Sequence, residues 1–233
     1  MMNKKKYILF VIICAGLFLQ VHSQSVKKFK VNPGEQVVKV IPVADIYTYP
    51  QFILGEVQFK NGKLGSAKMN YNSLLGEIEF IDDKNDTIAM DDAESMHYVA
   101  INTDTFYYYK QYLRQMSNKN GVKLAENRSI VLINREKIGG FGEVNGGSVE
   151  AKELVSANAN PMKTLVAKQI LTFSENYVYY FGDRFNKFKQ ANRKNIMEMF
   201  GKLKPELGKY LDDNNLNYFS KNDMIKLADY LQL

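Results

Sequence analysis

Strict alternation of apolar and polar residues over positions 55–90 constrains the fold of this chain more than any other feature of its sequence. The apolar residues that recur at every second position are Val57, Phe59, Ala67, Met69, Tyr71, Ile78, Phe80, Ile88 and Met90. This period is that of a β-strand with one buried face. We therefore expect half-buried antiparallel strands whose other face is open to water and carries Glu56, Gln58, Lys68, Asn70, Glu77 and Glu79.

The turn residues set the register of the first hairpin. A two-residue turn at Asn61 and Gly62 would mix apolar and polar side chains on one face, because a slip of one residue turns every side chain over. A three-residue loop at 60–62, with Gly62 in the left-handed conformation, keeps the apolar side chains together. We therefore predict that Val57 lies opposite Gly65.

The same argument applies to the next two turns. A four-residue loop at 72–75 keeps the apolar faces aligned and sets Met69 opposite Ile78. Positions 83–86 read Asp-Lys-Asn-Asp, and Asp and Asn side chains readily hydrogen-bond their own backbone. These positions therefore predict the turn that follows.

The first 23 residues predict export. A start with three lysines precedes an apolar run at 7–19, and a small residue, Ser23, lies where a signal peptidase would cut. The apolar run is too short to span a bilayer, which takes about 20 residues. The alternative is a lipoprotein signal that uses Cys14, which Ile13 disfavours because a small residue should precede the cysteine.

Loss of residues 1–23 leaves little catalytic chemistry. It removes Cys14, the one cysteine of the chain, and also His22, so that His97 is the histidine that remains. The mature chain can then form no disulfide and no thiolate, and one histidine cannot build a usual metal site. Loss of three lysines halves the formal charge of +6. Because no basic run remains either, nucleic acid is not an expected partner.

The other motifs predict no cofactor and no metal. The Gly-rich residues 139–142 lack the third glycine and the lysine of a phosphate-binding loop. The acidic residues at 82–86 and 91–94 fit solvated turns better than a cation site. Residues 213–217 lie between two expected helices, but the glycine and glutamate of a calcium loop are missing there.

Further short apolar runs, separated by turn residues, extend the antiparallel β unit over residues 24–135. The runs lie at 37–41, 97–101, 105–109, 112–116, 122–125 and 130–133. Glu126-Asn127 is the expected turn between the last two runs. A spacing of about eight to twelve residues is typical of compact antiparallel sheets. A twisted open sheet, a roll and a sandwich all fit this pattern.

Three segments follow the β unit. Gly, Ser and Asn dominate residues 136–163 without periodicity, so we expect a flexible loop there. A β hairpin is expected over 164–182, with its turn at Ser174-Glu175-Asn176. Residues 183–233 carry apolar residues at helical spacing and a capping signal that begins at Ser220. The predicted class is α+β, an antiparallel β meander or roll followed by a C-terminal cluster of three short helices.

Two arrangements offer catalytic chemistry, and both have a simpler explanation. Glu56, Glu77 and Glu79 share the polar side of one sheet, and paired carboxylates can hydrolyse glycosides. His97 is a candidate general base, but no serine or carboxylate is tied to it by spacing. All four residues fit a solvated strand better, so no catalytic residue is predicted.

Aromatic residues give the stronger functional signal. Residues 106–112 and 177–181 place tyrosines on both faces of their strands, and an exposed tyrosine can stack on a sugar or anchor a protein. Ordinary packing is the alternative, because tyrosine is a good strand former. The candidate interaction surface consists of Tyr107, Tyr109, Tyr177, Tyr179 and Phe141.

Several phrases, taken together and in order, resemble a family of small secreted proteins of Bacteroidota whose function is uncharacterised. With x for any residue, the phrases are GxVxFKNG at 55–62, AxMNYN at 67–72, ExxFI at 77–81, DT at 86–87 and FYY at 106–108, and in the tail Phe188, Lys194-Asn195, Phe200, Tyr210-Leu211, Asn217 and DMIKL at 223–227. The resemblance implies a periplasmic or outer-membrane-associated protein and carries over no catalytic residue.

These observations favour an exported, non-enzymatic, β-rich module of the periplasm or cell envelope. Its expected partner is an envelope protein or a cell-surface polymer, and no transmembrane segment is expected after signal cleavage. One alternative is a carboxylate-based hydrolase of envelope glycans, which needs two carboxylates in a concave site. The other is a carrier of hydrophobic ligands, which needs a cavity lined by Phe and Met.

Overall fold

The computed structural model of the protein describes residues 26–138, 144–148 and 164–233. The expected signal peptide at 1–23 and the candidate residue Phe141 lie outside these ranges. Within them, no helix is long and apolar enough to cross a membrane.

One antiparallel sheet contains all the strands of the described residues. In chain order these are β1 (Lys28–Val31), β2 (Ile53–Phe59), β3 (Leu64–Asn72), β4 (Glu77–Ile81), β5 (Thr87–Ala89), β6 (Met96–Ile101), β7 (Asp104–Tyr108), β8 (Tyr112–Lys119), β9 (Val122–Ile138), β10 (Val144–Ser148), β11 (Ile170–Gly182) and β12 (Phe188–Gln190). Across the sheet they lie in the order β1-β11-β9-β8-β7-β6-β2-β3-β4-β5, with β10 paired to β9 and β12 to β11.

The helices of the described residues lie mainly after the sheet. They are α1 (Val37–Val40), α2 (Val43–Ile46), α3 (Arg193–Phe200), α4 (Leu207–Asn214) and α5 (Lys221–Leu231). The predicted class of an antiparallel sheet with C-terminal helices is confirmed. The capping signal is confirmed as well, because the Ser220 side chain accepts a hydrogen bond from the Asp223 N–H at the start of α5.

The register predicted for the first hairpin is confirmed. Val57 pairs with Gly65 across β2 and β3, and the backbone N–H of Phe59 donates to the carbonyl of Lys63 at 2.9 Å. Gly62 has a φ of +84°, the left-handed conformation that closes a three-residue loop.

The register predicted for the second hairpin was wrong by two residues, because Met69 pairs with Phe80. The turn occupies residues 73–76 and so begins one position later than expected. Its start is fixed by the Asn72 side-chain oxygen, which accepts from the backbone N–H of Leu74 at 3.1 Å. A shift of two residues preserves the faces, so the apolar side chains still lie together.

The third turn lies where the sequence predicts it. The Asp82 carboxylate accepts from the backbone N–H groups of Lys84 and Asp86 at 2.9 and 2.7 Å. Beyond this turn, Ile88 of the edge strand β5 is 40% exposed. The prediction that it lies on the buried apolar face was therefore wrong.

The polar face of the meander is partly covered. Glu56 and Lys68 are exposed as predicted, but Asn70 and Glu79 are buried, so the prediction was wrong for these two. The chain before β2 lies across them. The hydroxyl of Tyr47 donates to Glu79 at 2.7 Å, and Asn70 exchanges two hydrogen bonds with the backbone of the same segment, at 3.1 and 2.8 Å.

Residues 37–41 form a helical turn, α1, instead of the predicted strand. Val37 and Ile41 are both fully buried, and a separation of four residues places side chains on one face of a helix. The backbone N–H of Ile41 donates to the Val37 carbonyl at 3.1 Å, and Pro42 then ends the turn. The short apolar run at 37–41 therefore belongs to a helical turn, and the prediction of a strand there was wrong.

Two expected turns lie inside long strands. Glu126-Asn127 belongs to the middle of β9, and Ser174-Glu175-Asn176 belongs to β11, so that no hairpin exists at 164–182. Part of the expected loop at 136–163 is also strand, because β9 runs on to Ile138 and pairs with β10. The rest of that expected loop, residues 139–143 and 149–163, lies outside the described ranges.

Two apolar cores cover opposite ends of one face of β9 and β11. The helical core packs α3, α4 and α5 over Leu124 and Phe181. The N-terminal core packs α1 and α2 over Leu132 and Phe173. A third group, the meander core, lies under β2, β3, β4, β6 and β7 and contains most of the predicted apolar face. The first two cores are separated along the strands by polar residues.

Candidate functional site

The face of β9 and β11 that carries the two cores turns polar between them. Moving along β9, Leu124 is followed on that face by Glu126 and Arg128 before Ile130 and Leu132 restore apolar packing. The strand pairing sets Arg128 beside Tyr177 of β11. This polar stretch, which we call the polar band, consists of Glu126, Arg128, Glu175 and Tyr177.

The polar band forms one wall of an open cleft of about 390 Å³. The segment around α2 forms a second wall, and the neighbouring strands β3, β7 and β8 form the remainder. The residues that line the cleft are Lys27, Ala44, Asp45, Tyr47, Thr48, Tyr71, Phe106, Tyr112, Arg114, Glu126, Arg128, Glu175 and Tyr177.

Arg114 and Glu126 form an ion pair across β8 and β9. The Arg114 Nη2 donates to Glu126 Oε1 at 2.5 Å, and Nη1 lies 3.6 Å from the carboxylate of Asp104. Burial alone would lower the pKa of Arg114, but its hydrogen bond to Glu126 and the two nearby carboxylates outweigh burial and raise it. The guanidinium is therefore a permanent cation and hydrogen-bond donor in the cleft.

Arg128 joins three parts of the chain. Its Nη2 donates to Glu175 at 2.7 Å and to the backbone carbonyl of Asp45 at 2.7 Å, and its Nη1 donates to Ser73 Oγ at 2.9 Å. Burial again opposes its charge, and the hydrogen bond to Glu175 together with Tyr177 raises the pKa overall. This side chain therefore holds the wall formed by the segment around α2 against the polar band.

A third ion pair lies at the edge of the cleft, where the exposed ammonium of Lys27 hydrogen-bonds Asp45. This hydrogen bond raises the pKa of Lys27. Because the lysine is fully solvated, the pair adds little to stability. Its contribution to the cleft is a donor and an acceptor at the rim.

One buried oxygen of the cleft residues is unpaired. Glu126 is 2% exposed, and its Oε2 has no hydrogen-bond partner among the described residues. A buried acceptor without a partner costs about 1–3 kcal/mol, and more when it is charged. A group that reached this oxygen with a hydroxyl or amine donor would recover that cost.

Aromatic rings form the base of the cleft. The Tyr71 ring lies 5.6 Å from Phe106 and 6.4 Å from Tyr112, centroid to centroid. Burial raises the pKa of both tyrosines, so their hydroxyls stay protonated. The Tyr71 hydroxyl donates to the carbonyl of Arg128 at 2.9 Å and so ties this base to the polar band.

The candidate aromatic residues do not form one surface. Tyr107 and Tyr179 are 8% and 4% exposed, and the expectation that they lie on a surface was therefore wrong. Tyr107 packs against Phe188, and Tyr179 belongs to the helical core. Tyr109 is 38% exposed beside β7 and away from the cleft lining. Tyr177 is half-buried and lines the cleft.

The weaker catalytic candidates also lie elsewhere. His97 is exposed on β6, and neither it nor Glu56 or Glu79 lines the cleft. In the part of the chain that the structure describes, no group of three His, Cys, Asp or Glu residues is placed to hold a metal ion.

Sequence reasoning missed the charged residues of the cleft, Arg114, Glu126 and Arg128. A usable signal was present in Leu-x-Glu-x-Arg-x-Ile at 124–130. Here the charged and the apolar residues occupy the same set of alternate positions, which in a strand all face one way. A solvated turn would interrupt this alternation, whereas a strand that carries a polar patch on its buried face preserves it.

Comparisons of the chain with protein-family models, with curated proteins and with solved structures found no match. The resemblance to secreted proteins of Bacteroidota stays a prediction, as does export. The function of the molecule therefore has to be inferred from the geometry of the cleft.

Proposed function

We propose that this chain is an exported, non-enzymatic binding module of the periplasm or cell envelope, and that its cleft holds part of an envelope protein or cell-surface polymer. The observation that supports this most is the pairing of charges in the cleft. Each carboxylate there, on Asp45, Glu126 and Glu175, accepts a hydrogen bond from a cation. Fixed donors and acceptors are what a recognition site needs.

The size of the cleft limits what enters it. Its volume of about 390 Å³ lies within the range of small-molecule sites, which is about 300–1000 Å³. A stable protein–protein interface instead buries about 800 Å² on each partner, usually over a flatter surface. The cleft therefore suits one or two units of a polymer or one protruding side chain better than a whole protein face.

The hydrolase alternative needs a carboxylic acid that can give a proton to the leaving group. The two glutamates of the cleft, Glu126 and Glu175, are instead each held by a guanidinium, which donates a hydrogen bond to one of their oxygens. Binding without hydrolysis is therefore the better-supported chemistry.

The carrier alternative has less support. A hydrophobic ligand requires an apolar cavity, whereas the cleft presents Lys27, Arg114 and Arg128 together with their carboxylates. Among the described residues of its lining, Phe106 is the one phenylalanine and none is a methionine.

Blocking the cleft tests the proposal. Ala44 is exposed and lines the cleft, so Ala44→Trp should fill it without removing an ion pair. Val43, its neighbour, is 63% exposed and does not line the cleft, which makes Val43→Trp the matched control. Binding of immobilised protein to separated protein and polysaccharide fractions of the envelope is measured by interferometry.

We expect one fraction to bind the wild type and Val43→Trp equally, and Ala44→Trp at least tenfold more weakly. Equal binding of that fraction by all three proteins would show that the cleft is not the binding site. Release of products from a bound polysaccharide, detected by mass spectrometry, would favour the hydrolase instead.

A further inference from the structure

Resting on the proposed function, we propose that the ligand of the cleft is a neutral carbohydrate. Its hydroxyl groups are bound by the guanidinium–carboxylate pairs, and its less polar ring face lies against Tyr177. Charge, hydrogen-bonding capacity and the position of this tyrosine each support that class of ligand.

The charges of the cleft favour an uncharged ligand. Among the described residues, the lining holds three cations and three carboxylates, and each of these cations is paired with one of these carboxylates: Lys27 with Asp45, Arg114 with Glu126 and Arg128 with Glu175. The formal charge of the set is therefore zero. A charged ligand must compete with one of these pairs, and would leave a nearly buried carboxylate or a guanidinium without its counter-ion. A neutral ligand leaves all three pairs intact.

The hydrogen-bonding groups of the cleft match hydroxyl groups. Arginine can only donate and an ionised carboxylate can only accept, whereas a hydroxyl does both. Two adjacent hydroxyls of a sugar can therefore accept from a guanidinium and donate to the neighbouring carboxylate at once. Peptide groups supply their donor and acceptor on opposite sides of the chain, and so match a side-by-side pair less well.

Arg114 and Glu126 are the pair best placed for this role. The Arg114 side chain is 35% exposed, and its Nη1 is too far from Asp104, at 3.6 Å, for a hydrogen bond. Glu126 Oε2 has no partner among the described residues and is itself buried, so a ligand hydroxyl reaches it once the Glu126 side chain turns toward the cleft. This pair thus keeps one donor and one acceptor unused, in contrast to Arg128, whose guanidinium already has three partners.

The ring of Tyr177 supplies the apolar contact. Tyr177 is half-buried, lines the cleft and lies beside Arg128 in the strand pairing. A tyrosine ring presents a flat apolar face and a polar edge. The aliphatic face of a sugar ring needs such a partner, while its hydroxyls point outward toward polar groups.

The probes are neutral disaccharides, namely maltose, cellobiose, mannobiose and diacetylchitobiose, and a digalacturonate of the same size. Each is titrated into the exported chain by calorimetry, with a panel of uncharged tripeptides measured in parallel. We expect saturable binding of at least one neutral disaccharide, and at least tenfold weaker binding of the digalacturonate and of the peptides.

The variants separate recognition from folding. Tyr177→Ala should weaken the sugar at least tenfold and Tyr177→Phe less than threefold, because phenylalanine keeps the flat ring. Glu126→Gln should weaken it at least tenfold, since an amide replaces one acceptor by a donor. Tyr109→Ala, at an exposed tyrosine outside the cleft, should bind as the wild type does. Circular dichroism confirms that each variant is folded.

Tighter binding of the digalacturonate than of every neutral sugar would overturn the charge argument. Binding of a neutral sugar that Tyr177→Ala and Glu126→Gln leave unchanged would overturn the assignment to this site. If no disaccharide binds, but an envelope protein fraction still distinguishes Ala44→Trp from Val43→Trp, the carbohydrate inference fails and the proposed function stands. If Ala44→Trp also has no effect on any fraction, both fail.

Discussion

The ends and the middle of β9 and β11 belong to the same two strands and the same face of the sheet, yet their side chains differ in polarity. At the ends, Leu124, Phe181, Leu132 and Phe173 are at most 4% exposed and pack into the two cores. The middle carries the polar band. Burying apolar side chains stabilises a fold at about 25 cal/mol per Å², whereas a buried ion pair adds little because desolvation offsets its attraction. The ends therefore hold the fold together, and packing alone does not explain the middle.

The largest effect is expected at the apolar ends. Phe173→Ala and Phe181→Ala should each lower the free energy of unfolding by about 3–5 kcal/mol, because each removes a fully buried ring and leaves a cavity. Urea denaturation measures both. The control is Phe185→Ala, at a ring that is 67% exposed, with an expected change within about 0.5 kcal/mol. A loss below about 1 kcal/mol at either end would remove the distinction between the ends and the middle.

An intermediate effect is expected in the polar band. Arg128→Leu should cost about 3 kcal/mol, because the Glu175 carboxylate, 9% exposed, loses its guanidinium. The double variant Arg128→Leu, Glu175→Leu should lie within about 1 kcal/mol of the wild type, since two apolar residues can replace a mostly buried pair. A double-mutant cycle in urea measures the coupling. If the stability losses of the single variants Arg128→Leu and Glu175→Leu simply add in the double variant, the polar band does contribute net stability and the comparison is wrong.

The smallest effect is expected from Tyr179, at the border between the band and the helical core. Burial, reinforced by the charge of Glu126, raises its pKa to about 12, against about 10 in an unfolded chain. The folded state thus favours the neutral phenol. The stability that the folded state gains from the neutral Tyr179 is complete below pH 10 and is lost as the pH rises through 12. Tyr179→Phe should match the wild type at pH 7 and lose less stability between pH 9 and 11, in urea unfolding at each pH. An identical alkaline loss in both proteins would contradict this.

The parts of the fold that local pattern decides were predictable. The first hairpin is an example, because the apolar alternation and the left-handed Gly62 together admit one register for Val57 and Gly65. The cap at Ser220 is another, since the residue and its partner Asp223 are three positions apart. Both signals lie within a few residues of the structure that they determine.

The cleft depends on contacts that no local window contains. Arg128 reaches Glu175, 47 positions away, and Ser73, 55 positions away. Seen locally, Glu126-Asn127 and the residues around Glu175 have the composition of turns. Their distant partners satisfy these polar groups inside strands, and this overrides the local preference. Sequence reasoning placed Tyr177 correctly on a strand and proposed it for binding, but the partners that make it part of a cleft were invisible to it.

The length of β9 and β11 has a consequence for how the molecule unfolds. The 17 residues of β9 and the 13 residues of β11 run through the helical core, the polar band and the N-terminal core without interruption. A cooperative unit of unfolding usually coincides with such a shared element. Opening either core therefore disrupts the strands that support the other, and the cleft between them is lost in the same transition. A ligand held in the cleft would in turn protect the backbone amides of both distant ends against hydrogen exchange.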